Sequence, residues 1–205
     1  MIYGVTIFWQ EPPAMLQRAL QSLRTVGCEK IIAVDGRIKG YSGDDCSEDE
    51  TVCIAKSNSD IYVPGVLYDR QEDKRNVYLD LVPDGEWFFI LDADEEALGK
   101  IHEKEIERNQ AWNVLLRDTK TGACNKYNRL FKKRAGMTYA HHHTGIYIKD
   151  QMNDSDLKSG LVSRKDYELY PHCHILHYRL ERDQARRENR AAYANEKNKY
   201  EVSLK

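Results

Sequence analysis

The chain predicts an α/β fold: a mostly parallel central sheet flanked by helices, closed by a charged C-terminal helix. Two observations carry this. Short apolar, β-rich runs alternate with helical patterns through the first 95 residues. Each of three runs then stops at polar or acidic residues, Gln10-Glu11, Asp35-Gly36 and Asp92-Ala93-Asp94. Open parallel sheets bind ligands beyond the carboxyl ends of their strands, where these residues fall.

The elements follow in order. Residues 2–8 (IYGVTIF) form a first strand, broken by Pro12-Pro13. Pro13 suits the first turn of a helix. Leu16, Ala19, Leu20, Leu23 and Val26 recur at helical spacing, and Gly27 ends the pattern. Residues 30–36 (KIIAVDG) are a second strand, and 37–50 a polar, acidic loop. Residues 60–66 give a third strand, which Pro64 places at a sheet edge. A helix is expected over 70–82 and a strand over 86–91 (EWFFIL). The second half reads as a helix over 95–109 and shorter strands over 112–118, 127–133, 137–141 and 145–149, with a hairpin near Thr121-Gly122. Residues 151–173 are polar and give no clear pattern, 174–178 (HILHY) form a last strand, and 180–199 a charged helix. These divide into a domain over 1–178, with halves over 1–95 and 96–178, and a helical tail over 179–205.

The totals bound the function. The 205 residues can bury one sizeable core. A net charge of −2, from 31 basic and 33 acidic residues, gives no global attraction to nucleic acid or anionic membrane. No apolar run reaches the roughly 18 residues of a membrane span. The opening MIYGVTIFWQ has no basic region or small-residue cleavage site and reads as a strand, not a signal peptide. Five scattered cysteines without a CxxC pair point to reduced thiols and a cytoplasmic location. Thirteen tyrosines suit packing and sugar binding alike.

The acid cluster WFFILDADEE (87–96) asks for positive charge nearby. Asp92 and Asp94 stand two apart, so in extended backbone their carboxylates project to one side and can share an ion. Hard oxygen ligands select Mg²⁺ or Mn²⁺, which keeps positions open for substrate phosphates. The competing reading is a solvated acidic turn capping a helix that starts near Glu95.

EWFFILDADE resembles the D/EW-apolar-LDADE signature of family-2 glycosyltransferases with a GT-A, Rossmann-like fold. VTIFWQEPPAMLQRALQSL resembles their first strand and helix, KIIAVDGR their second strand, and KRNVYLDLVPDGEW the helix before the metal motif. NRLFKKRAGMTYAHHHTGI and HILHYRLERDQARRENRAAYANE resemble later stretches of one bacterial branch. The resemblance implies transfer of a sugar, with inversion, from a nucleoside-diphosphate sugar, UDP-linked by expectation, to an acceptor hydroxyl.

Site roles follow from that resemblance. Asp94 would bind the metal directly, and Asp92 the ribose or the metal through water. The late histidine that completes the metal shell in several such enzymes matches His177. Asp35 would accept from the uracil imide, or else simply form its Asp-Gly turn. Gln10 and Glu11 would line the base and ribose pocket. Arg75, ahead of Lys74, would approach the pyrophosphate. The branch's base, a glutamate after the histidine, is absent: His143 is followed by Thr144-Gly145. His143 or His142 could serve instead, since imidazole titrates near neutrality, with Asp154 and Asp156 as alternatives.

Six of seven histidines fall in two clusters, 141–143 and 172, 174 and 177. A zinc site from His172, Cys173, His174 and His177 is a rival, but the spacing crowds one tetrahedral ion. Arg179, Arg182, Arg186 and Arg190 lie on one face of the last helix, as a solvated stripe or as a wall for an anionic saccharide, lipid-linked or nucleic-acid acceptor. Two other functions remain open. One is a nucleotidyltransferase, against which FWQEPPAM lacks a Gly-rich basic loop; the other is a degenerate nucleotide-binding module.

Overall fold

The computed structural model describes residues 1–140, 145–153, 159–163 and 166–178. The charged helix expected over 180–199, with its four arginines, lies outside them.

The strands are β1 (Ile2–Ile7), β2 (Lys30–Val34), β3 (Ile61–Val63), β4 (Trp87–Ile90), β5 (Glu95–Gly99), β6 (Ala111–Asp118), β7 (Cys124–Lys132), β8 (Met137–Tyr139), β9 (Ile146–Ile148) and β10 (Leu169–His177). The helices are α1 (Pro13–Val26), α2 (Asp49–Asn58), α3 (Gln71–Leu81) and the single turn α4 (Glu103–Ile106). Eight strands form one sheet in the order β3-β2-β1-β4-β7-β6-β10-β5, and β8 and β9 form a separate ribbon. β1 to β4 run parallel; β7 is antiparallel to β4 and β6, β10 is parallel to β6, and β5 is antiparallel to β10. The sheet is therefore mostly parallel with an antiparallel far side.

Alternation of side chains divides the core into two layers. Trp87, Phe89 and Leu91 join Leu16, Leu20 and Leu23 of α1 on one face. Phe88 and Ile90 join Tyr78 and Leu79 of α3, with Met137, Ile146 and Ile148 of the ribbon, on the other. Both faces of β4 are covered, which is why its sequence is apolar without a break. Each large side chain contributes roughly 1.5–3 kcal/mol by leaving water.

Three expectations need correction. The helix expected over 95–109 is instead β5 followed by α4. Ala97, Ile101 and Ile106 are buried, but on a strand and a turn, because β10 takes residues 95–99 as an antiparallel partner. Long-range pairing overrides the local pattern here. The loop expected over 37–50 runs into α2, whose only fully buried side chains, Thr51 and Ala55, leave almost no helical signature. The last strand begins at Leu169 rather than 174. By contrast, β3 lies at the sheet edge, as Pro64 implied.

The β5–β10 junction tolerates no side chain at Gly99. Its φ is +104°, and a Cβ there would lie 2.1 Å from the His172 carbonyl oxygen. Gly99→Ala is expected to cost roughly 1–3 kcal/mol from backbone strain alone. An unchanged midpoint in urea denaturation would show that the junction relaxes freely.

Candidate functional site

The strand order turns back between β1 and β4: α1 carries the chain from β1 to β2 on one side, while the turn after β4 carries it to β5 on the other, which opens a crevice beyond the strand ends. A cleft of about 1010 Å³ occupies that place. Gln10, Glu11, Lys74, Arg75, Asp92, Asp94, Glu95 and His177 all line it. The structure thus brings together most of the residues singled out in the sequence.

Its floor is built by ties between strand ends. Lys74 is buried on α3, and its ammonium donates to the carbonyl oxygens of Phe8 and Gly36, fastening the ends of β1 and β2. Asp35 is fully buried and does not line the cleft. Its carboxylate accepts from the Gly36 amide at 2.7 Å, and from the Ser47 amide and hydroxyl at 2.9 and 2.6 Å. Asp35 therefore holds the 36–47 loop through its carboxylate. Ser47 also accepts from the Gln10 amide at 3.0 Å, and Gln10 adopts φ 52° to reach it. Trp9 donates to the Asp44 carbonyl and packs 5.8 Å from Tyr41, giving this end of the cleft two aromatic rings.

The acid cluster sits at the end of β4. Asp92 is clamped by two guanidiniums, Arg75 at 2.7 Å and Arg129 at 3.3 Å. Arg129 also reaches Glu95 at 2.5 Å. Glu95 is 2% exposed, and its other oxygen accepts from the Asp92 amide at 2.8 Å. The backbone closes the same turn, with the Glu95 amide donating to the Asp92 carbonyl at 3.0 Å. The helix-capping role for Glu95 is thereby corrected: it opens β5 and braces the turn. Burial pushes its carboxyl up to about 7 against the pull of Arg129, with Asp92 and Asp94 adding to the rise.

Asp94 faces a different partner. Its carboxylate stands 3.0 Å from His177 Nε2, and its carbonyl oxygen accepts from the Tyr178 amide at 2.8 Å. Strand register causes this, since β10 pairs His177 with Glu95. The hydrogen bond to Asp94 raises the His177 pKa above the ordinary histidine value, outweighing the opposite effect of burial.

Arg129 was not singled out from the sequence. It lies in the quoted stretch NRLFKK, where an arginine just before a buried Leu-Phe pair is the available signal. β6 and β7 pair Trp112 with Leu130 but Asn113 with Asn128. Arg129 is the extra residue of a β-bulge, a device that re-aims a side chain.

The zinc alternative fails on strand geometry. His172 and His174 are exposed on one side of β10, Cys173 is buried on the other, and His172 faces Glu105 at 3.2 Å. Among the described residues no group of three or more His, Cys, Asp or Glu is arranged to hold a metal by itself. His142, His143, Asp154 and Asp156 lie outside the described residues.

A divalent ion nevertheless fits the chemistry of the Asp94–His177 pair. Neighbouring ligands of an octahedral ion bound at about 2.1 Å stand about 3 Å apart, the separation seen here. Two protein ligands suffice where phosphate and water complete the shell.

No protein-family profile and no curated protein matches the chain. Among solved structures it is similar to the crystal structure of S. aureus TarS, a glycosyltransferase, at 16% identity and a TM-score of 0.40. The match covers 58% of this chain, and the chain spans about a fifth (22%) of TarS. No helix among the described residues is long and apolar enough to cross a membrane.

Both raised groups make stability fall with pH. The Glu95 contribution is complete below its ordinary value of 4.5 and is lost as pH rises through about 7. That of His177 is complete below 6.5 and is lost above it. Unfolding free energy is expected to decline from pH 6 to 8, and His177→Gln to flatten the upper part of that decline. Parallel curves for the two proteins would separate His177 from the effect.

Proposed function

We propose that this protein is a metal-dependent glycosyltransferase that moves a sugar from a nucleoside-diphosphate sugar, with UDP as the expected nucleotide, to an acceptor hydroxyl with inversion. The observation that carries the reading is the Asp94–His177 pair, set at the end of a buried parallel strand in the crevice where the strand order turns back. What supports it is the chemistry of the cleft itself and not the distant likeness to TarS.

Asp94 and His177 would hold Mn²⁺ or Mg²⁺, a donor pair of hard oxygen and imidazole that suits manganese. When bound, the ion neutralises charge on the departing diphosphate. The protein's own groups supply the rest. Trp9 and Tyr41 offer ring faces for a base or sugar, and Gln10 and Glu11 line the wall beside them. Arg75 and Arg129 keep the site from repelling an anionic donor, since they balance the half-buried Asp92 and the buried Glu95. Asp92, held by both arginines, is suited to a ribose hydroxyl or a metal-bound water. An attacking hydroxyl must lose a proton, and His143 or His142 is proposed to take it. Five free cysteines agree with a cytoplasmic setting. The acceptor side of the cleft is the β6–β7 arm, where Asn125, Lys126 and Tyr127 are exposed.

Calorimetric titration with UDP and GDP, with and without Mn²⁺, tests the reading. UDP is expected to bind only with metal, and Asp94→Asn to weaken it at least about 10-fold while leaving the fold intact. Tighter binding of GDP would change the donor. Binding without transfer from any UDP-sugar would make the protein a nucleotide-binding module. Absence of binding to either nucleotide would remove the glycosyltransferase reading.

A further inference from the structure

The Arg129 bulge lies between β6 and β7, and its side chain is aimed at the acid turn. β4 pairs with β7 only through Leu130, Phe131 and Lys132. Beyond Leu130 the bulge begins, and Arg129 turns across the gap that β4 leaves where it ends. There it contacts Asp92 and Glu95. Glu95 in turn holds the Asp92 amide through its second oxygen. The turn of 92–95 is thus fixed at both ends by one carboxylate, and that carboxylate is held by one arginine.

We propose that Arg129 is a positioning residue: by anchoring Glu95 it sets the 92–95 turn so that Asp94 is presented to His177 and the cleft. Three facts converge. Glu95 is almost wholly buried, with one oxygen on Arg129 and the other on the Asp92 amide. Arg75 lies on α3 and pairs with Asp92, which leaves Arg129 as the only arginine paired with Glu95 among the described residues. The bulge spends a register shift in the sheet to bring a planar fork to two carboxylates, a task for which lysine's point charge is a poor substitute. Asp94, in the same turn, is thereby presented to the imidazole of His177.

The inference rests on the reading of the cleft as a metal–nucleotide site, and two readouts keep the failures apart. Amide hydrogen exchange of the metal-free protein reports the turn directly. Arg129→Met is expected to speed exchange at Asp92 and Glu95 while 87–90 remain protected. Mn²⁺ titration in the presence of UDP is expected to show an affinity loss of about 10–100-fold for Arg129→Met and a smaller loss for Arg129→Lys. Where Arg129→Met does not fold, Arg129→Lys decides by the same two measurements. A lowered denaturation midpoint together with wild-type exchange at 92–95 and a wild-type Mn²⁺ isotherm would make Arg129 a structural residue only, and overturn the inference. A wild-type protein that binds no Mn²⁺ with UDP would sink the proposed function, and the exchange pattern alone would then decide whether Arg129 sets the turn.

Discussion

The charge balance at the end of β4 is the constraint around which the rest of the molecule is arranged. Three carboxylates, Asp92, Asp94 and Glu95, follow a strand buried on both faces. Buried charges are stable only when paired and hydrogen-bonded. Two guanidiniums and one imidazole meet them, each from a different element: Arg75 from α3, Arg129 from the bulge of β7, and His177 from the end of β10. The far side of the sheet, with its antiparallel β7 and its β5–β10 pair, is what delivers two of those three partners.

The cluster is asymmetric, and the asymmetry has chemical content. Asp92 and Glu95 are bound to permanent cations, whose charge does not change near neutral pH. Asp94 is bound to an imidazole, which can lose its proton and become a metal ligand. One turn of chain therefore sets two carboxylates against guanidiniums and a third against an imidazole.

The other end of the cleft follows a different logic. Lys74, Asp35 and Ser47 are consumed in tying the ends of β1 and β2 to the 36–47 loop. Gly36 makes that loop possible, since its φ is +125° and a Cβ would lie 2.5 Å from the Val66 carbonyl oxygen. These groups are polar and near the cleft, but their hydrogen bonds face inward. The surface left for a ligand is the aromatic pair of Trp9 and Tyr41 with the neighbouring Gln10 and Glu11.

By itself the sequence determined the α/β class, α1 and α3, the parallel strands with β3 at the edge, and the position of the acid cluster at a strand end. These are local: apolar periodicity, a proline at a helix start, glycine at its end, and polar residues where strands stop. It also picked out Asp94 and His177, though 83 positions separate them and nothing local requires them to meet. Only the tertiary structure decided that they do, because the antiparallel register of β10 on β5 sets His177 beside the acid turn. The same pairing turned an expected helix at 95–109 into a strand. Arg129 was hidden for a related reason: a bulge arises from the mismatch of two strands, and neither strand carries its signature alone. Asp35 reads in the sequence as either a base contact or an Asp-Gly turn, and its bonds to Ser47 come only from the folded loop.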